Sequence, residues 1–505
     1  MSNQKFRLHP VSALINFFKG LKEMLLPIVI IFFTSGGLVI DPTDPDFWPS
    51  LIPKLFLLVG LIIILYVGIV KWRTYVYWFE DEELRVEYGL FVKKKRYVPF
   101  ERIQSLNYKE GVFHRLFKLV AVEVETAGGT STGAEIALTA VTRAQADRIE
   151  GEMRAAKNRL KAQVVQEGEE PLEEEMEVEK VIHQMTTKDL LLLASTSGGV
   201  GVVLAGILAI FSQVSSYIPY EAIYDEVSTF VRVGTAFVIS IVAFAFFLTW
   251  LISVLLTFIN YYNFKVVEFE NKIVITRGLL EKKRTTIPLS RVQGIRIVEN
   301  PLRQPFGFAT VLVECASGGG DEQGISSKIN LFPLIKTAQI ERKLAQILPQ
   351  FTLDVPLTRS PKRAIPFFYR FDIMWIVPII GALTYFFYPY GLLSLALIAI
   401  VMIIGRWQWK SSGYAIDEAQ LVVQGRIISR STFYLEKHRI QSMTASQSYF
   451  QKRRHLSSVL VTVMSGMSGT HVQAVHLEHG DADHLLAWFD REEPHDAIMD
   501  ELSEQ

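Results

Sequence analysis

A shift of 189 residues lays one part of this chain over another. It carries Arg102 onto Arg291, Gly89 onto Gly278, Leu90 onto Leu279, Pro99 onto Pro288 and Gln104 onto Gln293. The match continues through Glu110 and Glu299, Phe117 and Phe306, Val122 and Val311, and Glu125 and Glu314. A second shift, of 148 residues, takes Arg291 and Gln293 to Arg439 and Gln441 and reaches Val459 and Val461. Matches held at one spacing over so long a stretch mean an internal repeat, so the fold is built from three copies of one unit.

Each copy reads as β-structure closed by a helix. Ile273–Thr276 is β-branched, and Gly278 stands where a hairpin requires positive φ. Leu279–Ile287 returns as the second strand, with Pro288 confined to its end because proline donates nothing to a ladder. Val292–Val298, with Gly294 placed for a bulge, and Ala309–Cys315 are further strands. Ala338–Leu348 has helical period, with Ile340, Leu344, Ile347 and Leu348 on one face. The unit is a small α+β module.

Between the modules the chain is too apolar for an ordinary soluble protein. Half of its 505 residues are hydrophobic and its mean hydropathy is +0.24. Residues 7–23 carry Val11, Leu14, Ile15, Phe18 and Leu21 on one stripe, which predicts an interfacial helix. Three apolar pairs follow: Met24–Ile40 with Leu51–Val70, Leu190–Phe211 with Val233–Ile259, and Ile373–Tyr388 with Leu392–Gly405. The last two segments are short for spans of roughly 20 residues, so a re-entrant hairpin competes there. The first two connecting loops are acidic, the first without Lys or Arg and the second with only Arg232 at its end, whereas Lys71, Arg73, Arg363, Arg370, Arg406 and Lys410 flank the pairs on the other side. That bias predicts three transmembrane hairpins, with both termini and all three modules in the cytoplasm. No cleavable signal peptide is expected.

The chain therefore divides into an interfacial helix and first hairpin (1–73), a first module (74–160), an acidic linker (161–189), a second hairpin (190–260) and a second module (261–351). A basic linker (352–370), a third hairpin (371–406), a third module (407–490) and an acidic tail (491–505) complete it. The 52 basic and 52 acidic residues cancel, so no nucleic-acid partner is expected. The lone Cys315 reads as a core residue.

The G-L-x-x-K-[KR] hairpins, the [IV]-P-x-x-R-[IV]-Q runs at Val98–Gln104 and Ile287–Gln293, and F-G-x-A-T-V at Phe306–Val311 carry a family likeness. The chain resembles the membrane-flanked bacterial pleckstrin-homology (PH) domain family of the YdbS/YdbT type, and most of all its three-copy YdbT-like members. The resemblance implies an α+β membrane protein in which each transmembrane hairpin is followed by a PH-like pair of packed antiparallel sheets with a C-terminal helix. The third copy departs from the pattern: Glu436 replaces the proline, and Arg426 stands at the glycine position, which predicts a different turn.

Two clusters recur as candidate sites. Lys93, Lys94, Lys95 and Arg96 match Lys282, Lys283 and Arg284, while copy three keeps only Arg426 and Arg430. Near an anionic leaflet such residues attract lipid at about 1 kcal/mol per charge; otherwise they are solvated charges guarding an edge strand. The Arg-x-Gln pairs (Arg102 and Gln104, Arg291 and Gln293, Arg439 and Gln441) are expected to share a strand face as a structural polar contact. Glu110 and Glu299 are their candidate carboxylate partners, whereas copy three has Gln447. His471, His476, His479 and His484, with Asp481 and Asp483, match no tetrahedral ligand spacing, so neither metal nor cofactor is expected. The apolar segments hold essentially no ionisable residue, which disfavours a transporter. No Walker A, HExxH or G-x-S-x-G motif points to an enzyme. These features lead to a non-catalytic, multi-pass scaffold or envelope-maintenance protein of the inner membrane. Its expected partners are membrane lipids and proteins, among them a YdbS-like single-unit protein or a second copy of the chain. The alternative is binding or handling of anionic lipid.

Overall fold

The computed structural model describes residues 5–25, 27–28, 47–126, 135–164, 180–197, 205, 235–269, 271–316, 328–465 and 469–490. Most of Met24–Ile40 and of Leu190–Phe211, the acidic stretch 165–179, the acidic residues of the first two outer loops and the tail 491–505 lie outside the described residues. The chain divides into two compact units at the Pro288–Leu289 bond.

The first unit opens with a four-stranded antiparallel sheet, β1 (Phe6–Arg7), β2 (Val76–Glu80), β3 (Glu83–Tyr88) and β4 (Lys94–Pro99), in that order. A single turn of 3-10 helix, Phe100–Arg102, leads into β5 (Ile103–Glu110), β6 (Leu119–Thr126) and β7 (Ile136–Thr142). The alternation of these strands puts Leu84, Val86, Val120, Val122, Val124 and Leu138 into one core. The helix Arg143–Val164 closes it with Ala146, Ile149 and Ala156, which recur at helical spacing. Next come β8 (Lys180–Gln184), β9 (Lys265–Phe269), β10 (Lys272–Arg277) and β11 (Lys282–Pro288). They extend the sheet of repeat one, giving seven strands in the order β7-β6-β5-β11-β10-β9-β8.

The second unit repeats this plan. Its strands are β12 (Val292–Glu299), β13 (Phe308–Cys315), β14 (Lys328–Lys336), β15 (Thr358–Arg359), β16 (Gly413–Asp417), β17 (Gln420–Arg426) and β18 (Arg430–Glu436). They form a second seven-stranded sheet, β14-β13-β12-β18-β17-β16-β15. The helix Thr337–Ile347 buries Ile340, Leu344 and Ile347, the face its sequence marks out. Last come β19 (Ile440–Ser446), β20 (Leu456–Val463) and β21 (Thr470–Glu478), a three-stranded sheet capped by the helix His479–Phe489.

Every first sheet takes a short strand from ahead of its apolar pair. β1 pairs with β2, β8 with β9, and β15 with β16. β8 thus lies inside the segment whose composition reads as linker. Among the described residues four helices are long and apolar enough to cross a membrane: Leu51–Thr74, Ala243–Tyr261, Lys362–Phe386 and Tyr390–Lys410. The last two gain their length from 3-10 turns that prolong the apolar runs.

The helix Val11–Glu23 does not lie apart as a surface helix. Trp72 Nε1 donates to the Leu8 carbonyl at 2.9 Å, and a β-carbon at Gly20 would stand 2.6 Å from Ile64 Cγ2. These contacts step in opposite directions along the two segments, so this helix runs antiparallel against Phe47–Thr74. The face that meets it holds Ala13, Asn16 and Gly20, whereas Leu14 and Phe18 of the apolar stripe stay exposed.

Hairpin geometry bears out the glycine reading. Gly89 and Gly278 have φ of +140° and +107°, and a β-carbon on either would stand 2.0 Å from a carbonyl oxygen, of Val92 or Glu281. In copy three the ladder runs one rung further, to Arg426 opposite Arg430, so the turn is shorter and needs no glycine there. Gly278→Val is expected to destabilise the chain by about 1–3 kcal/mol. Gly425→Ala, with nothing within 4 Å of its added carbon, should leave the melting temperature within measurement error. Thermal unfolding of the full-length protein in detergent checks both.

Candidate functional site: the basic hairpins and the seams they close

The Arg-x-Gln signature builds a turn, not a strand face. Arg102, Arg291 and Arg439 each end a 3-10 turn ahead of β5, β12 and β19. Each glutamine is the extra residue of a β-bulge, because pairing skips from Ile103 to Ser105, from Val292 to Gly294 and from Ile440 to Ser442. Pro99 and Pro288 close the strands before these turns, where a missing N–H costs no ladder bond. Gln293 Nε2 donates to the Arg291 carbonyl at 3.3 Å, and Arg439 Nη2 to that of Ser290 at 3.0 Å. Arg102 and Gln441 are exposed. Glu110 and Glu299 are bound by other arginines, Arg143 and Arg430. The signature is structural, but the shared face and the carboxylate pairing are replaced by a bulged corner.

The basic hairpins of copies two and three sit in seams between repeats. In the first seam β11 accepts β5 as an antiparallel neighbour, with Lys282 opposite Glu110, Lys283 opposite Lys109 and Arg284 opposite Tyr108. Thr286 continues the seam, its N–H donating to Asn107 Oδ1 at 2.9 Å and its hydroxyl to the Leu106 carbonyl at 3.2 Å. The cations are compensated locally. Lys109 Nζ lies 2.7 Å from Glu123, Glu110 receives Arg143 at 2.5 Å, and the Arg284 guanidinium lies 5.6 Å from the centre of the Tyr108 ring. Tyr108 in turn donates to Glu150 at 2.8 Å, as does Arg154. Burial works to raise the Glu150 carboxyl, but the hydrogen bonds from Tyr108 and Arg154 and the nearby guanidinium charges carry it below its ordinary range. A cleft of about 330 Å³ opens beside this network, lined by Tyr108, Glu110, Arg143, Glu150, Lys282 and Arg284 among others. Its charges are mixed, and most are already paired.

The second seam is longer. β18 pairs with β12 from Leu435 opposite Gly294 to Arg430 opposite Glu299. A β-carbon on Gly294 would come within 2.6 Å of Leu435 Cδ2 and 2.9 Å of the Tyr434 carbonyl, so this close approach requires glycine. Arg430 grips Glu299 bidentately, Nε at 2.9 Å and Nη2 at 2.5 Å, with Glu299 only 8% exposed. Arg426 donates to Gln304 at 2.8 Å and to Ser411 at 3.0 Å, and its guanidinium lies 3.9 Å from the centre of the Trp407 ring. The two shifts that define the repeat map Glu110 onto Glu299 and Lys282 onto Arg430. One rung, carboxylate opposite cation, therefore closes both seams. β11 and β18 are interior strands, so protection of an edge does not describe them.

The first hairpin has no such neighbour. β4 ends its sheet among the described residues, and Lys93, Lys94 and Lys95 are exposed. Arg96 alone turns inward, to the Glu135 carbonyl. Hairpin tips also expose apolar residues, with Phe91 at 96%, Val92 at 70% and Ile427 at 83%. Two tips are tied to apolar helices: Leu279 N–H donates to the Ile259 carbonyl at 2.9 Å, and Gln408 Nε2 to that of Ile427 at 3.1 Å.

The histidines are dispersed. His476 packs 5.4 Å and 5.0 Å from the ring centres of Phe367 and Phe368, with Gln451 Nε2 at 2.8 Å. Burial, aided by Arg370, depresses it to about 4. His471 meets Thr462, and His479 meets Ser457. Among the described residues no three His, Cys, Asp or Glu side chains converge as metal ligands would.

A family model described as the bacterial PH domain matches residues 30–157, 190–348 and 373–493. The chain is also 32% identical over 502 residues to the UPF0699 transmembrane protein YdbT of Bacillus subtilis (strain 168), covering 97% of this chain and 99% of the relative.

Glu299→Ala or Arg430→Ala should each cost roughly 1.5–3 kcal/mol, the range for hydrogen bonds to charged groups. The double variant should cost much less than their sum, as a double-mutant cycle by thermal unfolding would read. His476 adds a pH term. Below its unfolded value of 6.5 the unfolded chain binds a proton that the folded chain refuses until about pH 4. Stability should therefore fall as pH drops through that window, by at most about 3 kcal/mol at 1.36 kcal/mol per pKa unit. His476→Gln should flatten that slope.

Proposed function

The chain belongs to the bacterial PH-domain family and is a transmembrane protein of the YdbT kind; from that footing we propose that it is a non-catalytic scaffold of the inner membrane that binds protein partners. It has six spans in three hairpins, with both termini and all PH-like repeats on the cytoplasmic side. One observation carries the topology: the strands flanking each apolar pair are hydrogen-bonded neighbours. Strands that close the same ladder lie on the same side of a bilayer, so each pair crosses an even number of times. The Lys/Arg bias then selects the cytoplasm. The scaffold reading draws on the seams, which show that these hairpins are built to take a strand from another repeat.

Lipid handling is the second reading. The exposed tips support it: Phe91 and Val92, or Ile427 and Ile428, flanked by cations and tied in two repeats to the ends of apolar helices, suit a bilayer interface.

Cysteine labelling in intact cells tests the topology. In a Cys315→Ala background, Ser50→Cys and Ser216→Cys should react with an impermeant reagent. Ser290→Cys should react only after permeabilisation, and its labelling in intact cells would overturn the arrangement.

A further inference from the structure

The repeat leaves one hairpin unfilled. In copies two and three the second hairpin strand accepts an antiparallel strand from the repeat before it, and the first rung sets a hairpin cation opposite a glutamate. Among the described residues no strand of another repeat lies beside β4. The residues that correspond to Lys282, Lys283 and Arg284 are Lys93, Lys94 and Lys95, exposed along the outer side of β4. An edge strand presents unpaired N–H and C=O groups, and lysines there commonly discourage pairing. Here the equivalent strands admit a neighbour twice over, with Lys282 set opposite Glu110 and Arg430 ion-paired with Glu299.

We propose that the outer edge of β4 is a docking edge that takes one antiparallel strand from a different protein, and that this strand bears an Asp or Glu opposite Lys93. Charge complementarity identifies the occupant. The counterpart of β5 and β12 in copy three is β19, which among the described residues ends its three-stranded sheet. At the register of Glu110 and Glu299 it carries Gln447, whose amide is already spent on the Leu456 carbonyl at 2.8 Å. At the register of Gly294 it carries Ser442. A second copy docking through β19 would bring no carboxylate to the row Lys93, Lys94, Lys95. A foreign strand ending in an acidic residue would reproduce both internal seams.

This deepens the scaffold reading and rests on it, but it is tested without reference to topology. The probe is a fluorescent peptide copying residues 292–300, Val-Gln-Gly-Ile-Arg-Ile-Val-Glu-Asn, added to the full-length protein in nanodiscs of zwitterionic lipid. Anisotropy should report saturable binding, weakened at least tenfold when the peptide carries Glu299→Gln. Lys93→Glu in the protein should weaken the wild-type peptide to the same degree, and a peptide with Glu299→Lys should regain affinity for that variant. Lys93 is exposed and lies outside the strand, so the variant should keep the wild-type melting temperature. Gln447→Glu, which gives β19 the missing carboxylate, should make the full chain self-associate, and Lys93→Glu should reverse this.

Three results would overturn the proposal. The peptide fails to bind, or it binds without regard to the charge at position 93. A disulfide forms between Lys93→Cys of one copy and Gln447→Cys of another in otherwise wild-type chains, assigning the edge to self-assembly. Nanodiscs containing phosphatidylglycerol abolish peptide binding at constant ionic strength, assigning the cations to lipid.

Discussion

An open β-edge cannot be left as it is. Its N–H and C=O groups need partners, and each bond of a ladder contributes only about 1 kcal/mol while an unmet buried group costs more. This chain meets the need by sharing strands between repeats. β5 closes β11 and β12 closes β18, so each of the two large sheets draws on two repeats. Register decides whether such a seam works, because a slip of one residue turns every side chain to the wrong face. The pairing of Glu299 with Arg430, and the placing of Glu110 opposite Lys282, pin that register at its first rung. An exposed ion pair would do little, but Glu299 is 8% exposed, and a displaced strand would strand its charge.

What the sequence makes legible here is local. The fixed shifts reveal the three copies, Gly278 marks its hairpin because positive φ excludes other residues, and Ile340, Leu344 and Ile347 announce a helix face by period alone. The seams are different. Aligning Glu110 with Glu299, and Lys282 with Arg430, says that the pairs are alike without saying that one faces the other. That relation is made by strands far apart in the chain, and no local period records it. The Arg-x-Gln signature misleads for another reason. Counting two residues to one face presumes an unbroken ladder, and Gln104, Gln293 and Gln441 are the residues that break it. On Val11–Glu23 the period marks the apolar stripe, but the face that packs on the next helix is the small one with Ala13 and Gly20, which hydrophobic period does not single out.

Repeat three differs from the other two at its hairpin and at the end of β19. Arg426 in place of glycine lengthens the hairpin ladder and ties it to Ser411 and Trp407. Gln447 in place of glutamate turns its amide back onto its own sheet. Gln447 thus turns inward, whereas Arg426 also reaches across the seam to Gln304 of repeat two.

The first seam also imposes an order in time. β5 leaves the ribosome long before β11, and the second apolar pair is made between them. Contacts between such distant segments form late, because the chain entropy of closing the loop must be overcome first. Repeat one therefore waits with β5 bare on that side until β11 has been made. On the proposed topology, the partner strand can return to β5 only after the second apolar pair has entered the bilayer. Membrane integration would then be a checkpoint in the maturation of that sheet, and a chain arrested before that point would carry an adhesive edge for as long as it survived.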